Sequence, residues 1–258
     1  MYNVVIDSEK CIGCGLCKND CVAYDIDIEN KKAVYKGNNC IFCGHCEAIC
    51  PQNAIKLEGF EDTVEEFDKQ VLLDPKEYMD AIKTRRTIRQ FKQEKEVPQE
   101  IVDMILEAGR LAPTGSNAQR TRYIVLRDKL DACEKVAVKY FRNLLGLGMI
   151  FAPKLKDLRN IIDPKFFFKG AKLAIVVIGK DQVSASLAAQ NMATMAEANG
   201  LGVLFSGYFS GVSNLSPKER RMLKMKLSEK VATTLVIGYP KVKYKRTAHR
   251  KPLKVTNM

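Results

Sequence analysis

The chain contains no tryptophan and only two histidines, His45 and His249, among its 258 residues. No stretch approaches the ~18 consecutive apolar residues of a membrane-spanning helix. The opening Met1-Tyr2-Asn3-Val4-Val5-Ile6-Asp7 carries no basic segment followed by an apolar run, which speaks against a secretory leader. Neither GxGxxG nor GxxxxGK[ST] occurs, so no dinucleotide-binding loop or P-loop is indicated. No Ser-His-Asp set or pair of carboxylates calls for hydrolytic chemistry. With 46% apolar and 28% charged residues the chain is not disordered, and it has the material for one or two folded domains. The expected compartment is the reducing cytoplasm, where a disulfide framework does not persist.

What the chain has in excess is cysteine and positive charge, and neither is spread evenly. Eight of its nine cysteines fall between residues 11 and 50, leaving only Cys133 elsewhere. The formal charge of +12 divides at the same place: residues 1–60 carry −2, residues 61–74 carry −5, and residues 75–258 carry +19. This places a small cysteine domain at 1–60, an acidic linker at 61–74 and a basic domain at 75–258. Clustered cysteines in a reducing compartment bind metal or do redox work.

Cys11, Cys14, Cys17 and Cys21 read C-x2-C-x2-C-x3-C, and Cys40, Cys43, Cys46 and Cys50 repeat that spacing, with Pro51 following. Three thiolates at successive steps of three wrap one loop around a cuboidal cluster, while the fourth cysteine of each run reaches the other cluster. Structural zinc favours separated C-x2-C pairs, often with His, and leaves the third cysteine unexplained. Over about residues 1–60 the segment resembles a bacterial two-cluster 4Fe-4S ferredoxin. The resemblance implies that Cys11, Cys14, Cys17 and Cys50 hold one cluster, and that Cys40, Cys43, Cys46 and Cys21 hold the other. Val22 stands where a proline would follow Cys21. Gly13, Gly15 and Gly44 read as tight turns or as places where backbone N–H groups approach cluster sulfur. His45, between ligands, reads as a surface residue beside the site.

Farther along, the pattern predicts helices over 75–84 and from Pro98 to about 111, the latter marked by Ile101, Val102, Ile105, Leu106 and Ala108. Strands are expected over 121–127, 172–178 and 231–238, and a long helix over 182–199 closed by Gly200 and Gly202. Ser216, Pro217 and Glu219 read as a capping box opening a basic helix. Cys133 lies in a helical stretch with Val136, Ala137 and Tyr140 and reads as a buried structural thiol. Helices and strands mix without strict βαβ alternation.

Thr84-Arg85-Arg86-Thr87-Ile88-Arg89-Gln90-Phe91 sets three guanidinium forks beside hydroxyls, which suits either a solvated turn or bidentate contact with a phosphate. Pro113-Thr114-Gly115-Ser116-Asn117-Ala118-Gln119 is a polar loop at a helix end, and the tail carries Lys245, Arg246, Arg250 and Lys251. Together with Gly200-Leu201-Gly202 after an Ala/Met-rich helix and Ile237-Gly238-Tyr239-Pro240, these motifs resemble, in order and spacing, the nitroreductase family of FMN enzymes over about residues 75–258. The resemblance implies an α+β sandwich that forms an intimate homodimer with FMN at the subunit interface. It further implies that Arg85, Arg86, Thr87 and Arg89 face the FMN phosphate and ribityl chain with Arg250 and Lys251. By the same resemblance Pro113, Thr114 and Asn117 would lie on the flavin from across the dimer, and the Gly207 N–H would point at the flavin N5. The chain departs from that pattern after Gln119, where Arg120 and Thr121 replace a proline and an aromatic residue, and in having no tryptophan. Residues 140–170, with Tyr140, Phe141, Phe151 and Phe166 to Phe168, suit a lid or ordinary core and dimer packing.

The expectation is an α+β iron–sulfur flavoprotein oxidoreductase. Two 4Fe-4S clusters pass single electrons to FMN, which reduces a nitroaromatic, quinone-like or conjugated organic acceptor. A ferredoxin or similar low-potential carrier is the expected donor, with NAD(P)H the alternative. Another reading is an electron-transfer module relaying to a partner protein. The basic charge could also serve nucleic acid, but it is spread along the domain, and its best cluster suits a flavin phosphate.

Overall fold

The computed structural model describes residues 2–148 and 155–258, so Phe151, named above, lies outside the described residues. The chain divides into two compact units, one comprising residues 1–72 with Thr114–Ala118, the other 73–113 with 119–258.

In the first unit β1 (Asn3–Ile6) pairs antiparallel with β4 (Ile55–Glu58), so the two ends of the cysteine segment are tied together. Between them β2 (Ile26–Glu29) and β3 (Lys32–Tyr35) form a hairpin. Its two turn residues, Asn30 and Lys31, have φ of 47° and 62°, the left-handed pair whose twist matches the flanking strands. Two single-turn helices, α1 (Leu16–Asp20) and α2 (His45–Ala48), start at equivalent glycines, Gly15 at φ 79° and Gly44 at φ 77°. The sequence duplication thus becomes a structural one. The apolar core is small: Val4, Ile26, Ala33, Ala54 and Ile55 with Cys11 and Cys17.

In the second unit α3 (Pro75–Thr84) is capped by Asp74, whose carboxylate accepts the Glu77 N–H at 2.7 Å, with Pro75 at the first position. α4 (Gln99–Arg110) follows, then β5 (Arg122–Leu126), α5 (Leu130–Gly148), α6 (Leu155–Asn160) and β6 (Leu173–Ile178). The chain continues through α7 (Gln182–Ala198), β7 (Gly202–Phe205), α8 (Gly207–Leu215), α9 (Pro217–Met222) and β8 (Val231–Gly238). The sheet order is β5-β6-β8-β7, antiparallel throughout.

Strand β6 is buried on both faces, as its unbroken apolar run requires. Leu173, Ile175 and Val177 pack with Val102 and Ile105 of α4 and with Ala189, Met192 and Ala193 of α7. Ala174, Val176 and Ile178 pack with Cys133, Ala137 and Phe141 of α5 and with Phe167, Phe168 and Phe209. Layers of helices therefore cover both faces of the sheet. Phe167 and Phe168 are core, held by Glu134, whose buried Oε1 accepts both their N–H groups at 2.8 and 2.7 Å. Cys133 is buried, and burial pushes its thiol up to about 12.

Two local expectations need correcting. Gly200, at φ 72°, closes α7, but Gly202 opens β7: a Cβ there would stand 2.4 Å from Ile88 Cγ1, so the glycine admits a neighbouring segment rather than ending a helix. At α9 only half of a capping box forms. Ser216 Oγ accepts the Glu219 N–H at 3.3 Å, while the Ser216 N–H bonds to the Val212 carbonyl and the Glu219 carboxyl turns into the core.

Candidate functional site

The loops of the first unit wall two cavities. One is bounded by Cys11, Cys14, Cys17 and Cys50, together with Ile28, Ala33, Ala54 and Ile55. The other is bounded by Cys21, Cys40, Cys43 and Cys46, together with Val4, Ile26 and Leu57. Among the described residues, no three His, Cys, Asp or Glu side chains converge closely enough to hold a single metal ion. A zinc ion would draw four sulfurs to within ~2.3 Å of one point, whereas a cuboidal cluster takes one thiolate per iron and keeps them apart around its own volume. Thiols spaced around an apolar-walled cavity fit the second arrangement.

The backbone supplies what cluster sulfur needs. Ala33 N–H points at Cys11 Sγ and Ala54 N–H at Cys50 Sγ, both at 3.3 Å. Asp25 N–H points at Cys21 Sγ and Phe42 N–H at Cys40 Sγ, both at 3.4 Å. Gly13, at φ 67°, lies so close to the hairpin tip that a Cβ would stand 2.1 Å from the Lys31 carbonyl oxygen. Burial raises the Cys17 thiol and pushes Cys46 up to about 11, so metal binding must displace protons there. His45 is exposed, with Nδ1 3.4 Å from the Cys43 carbonyl.

In the second unit the arginine segment is fixed to the sheet edge. Ile88 is buried against Gly202 and its N–H bonds to the Val203 carbonyl, Lys92 N–H bonds to Tyr239, and Phe91 bridges Pro240. This pins residues 85–92 as an extended strap, with Thr87 and Arg89 flanking the buried Ile88. Arg85 Nε pairs with Glu197 Oε1 at 3.0 Å, and its guanidinium lies over the Phe205 ring. Burial raises the Glu197 carboxyl, and Arg85 pulls it partway back. Arg86 donates to the Arg246 carbonyl at 3.2 Å and sits over the Tyr244 ring, which joins the strap to the C-terminal tail. Among the described residues no carboxylate pairs with Arg86 or Arg89. Arg250 and Lys251 are exposed farther along the tail.

Gly207 is the exposed first residue of α8, and a Cβ there would meet nothing within 4 Å. The first N–H groups of a helix have no intrahelical acceptor. Pro113 is exposed; Thr114 and Asn117 are half-buried. Ser116, Asn117 and Gln119 all have positive φ, between 46° and 50°, an uncommon run for residues with side chains. Within the first unit, Asn117 Nδ2 donates to the carbonyls of Ile41 and Phe42 at 3.2 and 2.8 Å, which gives this loop a structural role.

The sequence reading passed over Glu197, Asp25 and Lys32. Glu197 had a signal, being the one charged residue in α7. Asp25 had one only in comparison of the two repeats, where it stands opposite Ala54.

Comparison with known proteins fits this geometry. The 4Fe-4S dicluster domain profile matches residues 3–51, and the nitroreductase family profile matches residues 82–239. A Methanothermobacter thermautotrophicus protein whose name pairs NADH dehydrogenase with NAD(P)H nitroreductase is 27% identical over 140 residues, 51% of this chain and 61% of that protein. Ferredoxin-2 of Desulfomicrobium norvegicum is 48% identical over 33 residues, 13% of this chain and 56% of that protein. The chain thus spans about three fifths of the length of these curated relatives. The Bacteroides fragilis nitroreductase crystallised with bound FMN superposes with a TM-score of 0.58 at 18% identity, over 70% of this chain and 99% of that one, a likeness of fold. No described helix is long and apolar enough to cross a membrane. With the nitroreductase profile covering residues 82–239 and the dicluster profile ahead of it, the chain belongs to the nitroreductase family and carries an N-terminal 4Fe-4S dicluster domain.

Proposed function

We propose that the chain is an iron–sulfur flavoprotein oxidoreductase. Two 4Fe-4S clusters deliver single electrons to FMN, which reduces a nitroaromatic, quinone-like or conjugated organic acceptor. The observation that carries this reading is the pair of cavities, each walled by four cysteines, in a chain whose larger part belongs to the nitroreductase family. The clusters supply one-electron steps and the flavin couples them to two-electron chemistry. Cys11, Cys14, Cys17 and Cys50 would hold one cluster, and Cys21, Cys40, Cys43 and Cys46 the other.

For the flavin, Arg86 and Arg89, which have no carboxylate partner among the described residues, offer guanidinium forks to the phosphate, with Arg85, Thr87, Arg250 and Lys251 around them. Gly207 offers an open helix N-terminus to the ring. Pro113, Thr114 and Asn117 complete the site across a homodimer interface. Apolar side chains exposed on α3 (Tyr78, Met79, Ile82), on α8 (Tyr208, Leu215) and in the tail (Leu253, Val255) support such a dimer. Functionally the chain divides into a cluster domain at 1–60, a linker at 61–74 and the flavin domain at 75–258. In that frame cationic side chains near the flavin stabilise its anionic reduced form.

A ferredoxin-like one-electron carrier is the donor in this reading, because a built-in cluster domain serves one-electron input. The name of the archaeal relative favours a second reading, direct reduction by NAD(P)H. Protein purified without oxygen should hold about eight irons and one FMN per chain. Stopped-flow mixing then separates the donors: flavin bleaching by reduced ferredoxin within a turnover time, and not by NADPH, is the expected result. Bleaching by NADPH at that rate selects the second reading. Two metals per chain, or none, would sink both. Reduction of a protein acceptor with no turnover of nitro compounds or quinones would make the chain an electron relay.

A further inference from the structure

The two halves of the N-terminal unit are repeats, and laying one on the other sets a buried polar residue, Asp25, against a buried apolar one, Ala54. In each half the fourth cysteine's sulfur accepts an N–H from the residue four positions later: Asp25 to Cys21 at 3.4 Å and Ala54 to Cys50 at 3.3 Å. Asp25 and Ala54 are both 2% exposed, and each forms part of the wall of its own cavity. One half buries a methyl group there and the other a carboxyl.

That carboxyl has little to compensate it. Asp25 Oδ1 accepts the Asn38 N–H at 3.0 Å, while Oδ2 is buried with no hydrogen-bond partner among the described residues. The nearby ammonium groups of Lys18 and Lys36 go to Asp27 instead, at 2.7 and 3.0 Å. Around the other cavity the asymmetry runs the opposite way, since Lys32 Nζ donates to the Cys11 carbonyl at 2.6 Å.

We propose that Asp25 makes the two clusters unequal. The cluster held by Cys21, Cys40, Cys43 and Cys46 has the lower reduction potential, and the first electron to arrive settles on the cluster held by Cys11, Cys14, Cys17 and Cys50. The inference rests on the two-cluster reading above. Each step adds one electron from a low-potential one-electron carrier to one oxidised cluster, and no bond forms or breaks. Adding negative charge beside an unpaired carboxylate in a poorly polarisable interior is opposed, and adding it near a lysine is favoured. Charge and hydrogen bonding around the sulfurs are among the factors that set cluster potentials. Asp25 touches the Cys21 sulfur through its backbone but ligates nothing, so it acts as a tuning residue. Its effect is an order of filling. The second cluster takes an electron only when the first is already reduced, and it then gives that electron up with the greater driving force, which suits an acceptor that needs two.

The test is a redox titration of the full-length, cluster-loaded protein, followed by the low-temperature spin resonance of the reduced clusters. Two couples should appear, separated by at least tenfold in equilibrium constant, about 59 mV for one electron. Asp25→Asn should raise the lower couple and narrow the gap, and Asp25→Ala, which copies Ala54, should do the same. Iron near eight per chain shows that both clusters assembled. Substantially less iron in the unmodified protein would defeat the two-cluster reading on which this rests. Coincident couples in fully loaded unmodified protein would overturn the inference even if neither variant assembled. So would variants that move the higher couple, or neither.

Discussion

The two units of this chain fold for different reasons. The first has two-stranded ribbons of four-residue strands and, among the described residues, a core of seven buried residues, two of them cysteines. The second has a four-stranded sheet covered on both faces by helices, with Val176, Leu235 and Ile237 fully buried. A core as small as the first unit's ordinarily needs cross-links to offset its conformational entropy, and in the proposed reading the eight cysteines would supply them once clusters join them. The second unit has an apolar core on each face of its sheet and should fold before its cofactor is added.

The sharpest way to break that comparison is to remove the iron. Stripping the clusters anaerobically with acid and chelator should abolish the first unit's structure while the second unfolds at nearly its original temperature. Amide hydrogen exchange read segment by segment checks this. Persistent protection of β1 and β4 in iron-free protein would show that the small core suffices by itself.

The same contrast explains what could be read from the sequence. The eight cysteines of the proposed cluster sites stood out because coordination fixes cysteine spacing directly, and the long helix expected over 182–199 from its Ala/Met-rich run before Gly200 is found at Gln182–Ala198, with the helix at 75–84 found at its expected bounds. Strand β7 was not expected, because its four residues are set by pairing with β8 thirty or more positions later and by Ile88, more than a hundred positions earlier, packed against Gly202. The half-formed capping box failed likewise, since Glu219 is drawn inward by a core that its own helix does not reveal. The flavin residues proposed here came from family resemblance, because a site of the proposed kind, drawn from a strap, a helix start and a tail, would leave no single local motif.

Glu219 tests whether the second unit is as self-sufficient as its core implies. Its carboxyl is fully buried, and among the described residues no donor apart from the Cys133 thiol reaches either oxygen. Burial pushes it up to about 7 from 4.5. The folded state therefore holds this proton more tightly than the unfolded state. The resulting stability is complete below about pH 4.5 and is lost as pH rises through 7. The loss is on the order of 3 kcal/mol, at 1.36 kcal/mol per pH unit. Glu219→Gln should remove that slope, leaving the variant more stable than the parent at pH 8 and similar at pH 4.5, with iron content unchanged. Parallel denaturation curves across that range would show that the carboxyl is not the cause.

Arg86 asks whether flavin binding and folding are separable, in contrast to the coupling expected between the clusters and the first unit. Arg86→Ala removes one charged fork and the link from the strap to Tyr244 and the Arg246 carbonyl. A charged hydrogen bond contributes about 1.5–3 kcal/mol, so FMN affinity should fall roughly tenfold to hundredfold. The far-ultraviolet dichroism of the flavin-free variant should match that of the flavin-free parent. Unchanged FMN affinity would remove Arg86 from the site.

The smallest expected effect is the most discriminating about charge. Arg122 holds Glu229 with two forks, Nε to Oε1 at 3.1 Å and Nη2 to Oε2 at 2.7 Å, and Glu229 also accepts the Lys226 N–H at 2.8 Å. Arg122 is the first cause that keeps the Glu229 carboxyl below its usual range. A depressed carboxyl contributes stability above its unfolded value near 4.5 and loses it as pH falls through the folded value, opposite in sign to Glu219. The arginine side chain is 40% exposed, so solvent screening limits the pair to about 1 kcal/mol. Arg122→Ala should therefore cost about that much at pH 7 and progressively less below pH 4.5, whereas Glu219→Gln should alter only the neutral side. If both substitutions changed stability over the same pH range, the division of the second unit into a proton-holding core and a charge-paired surface would fail.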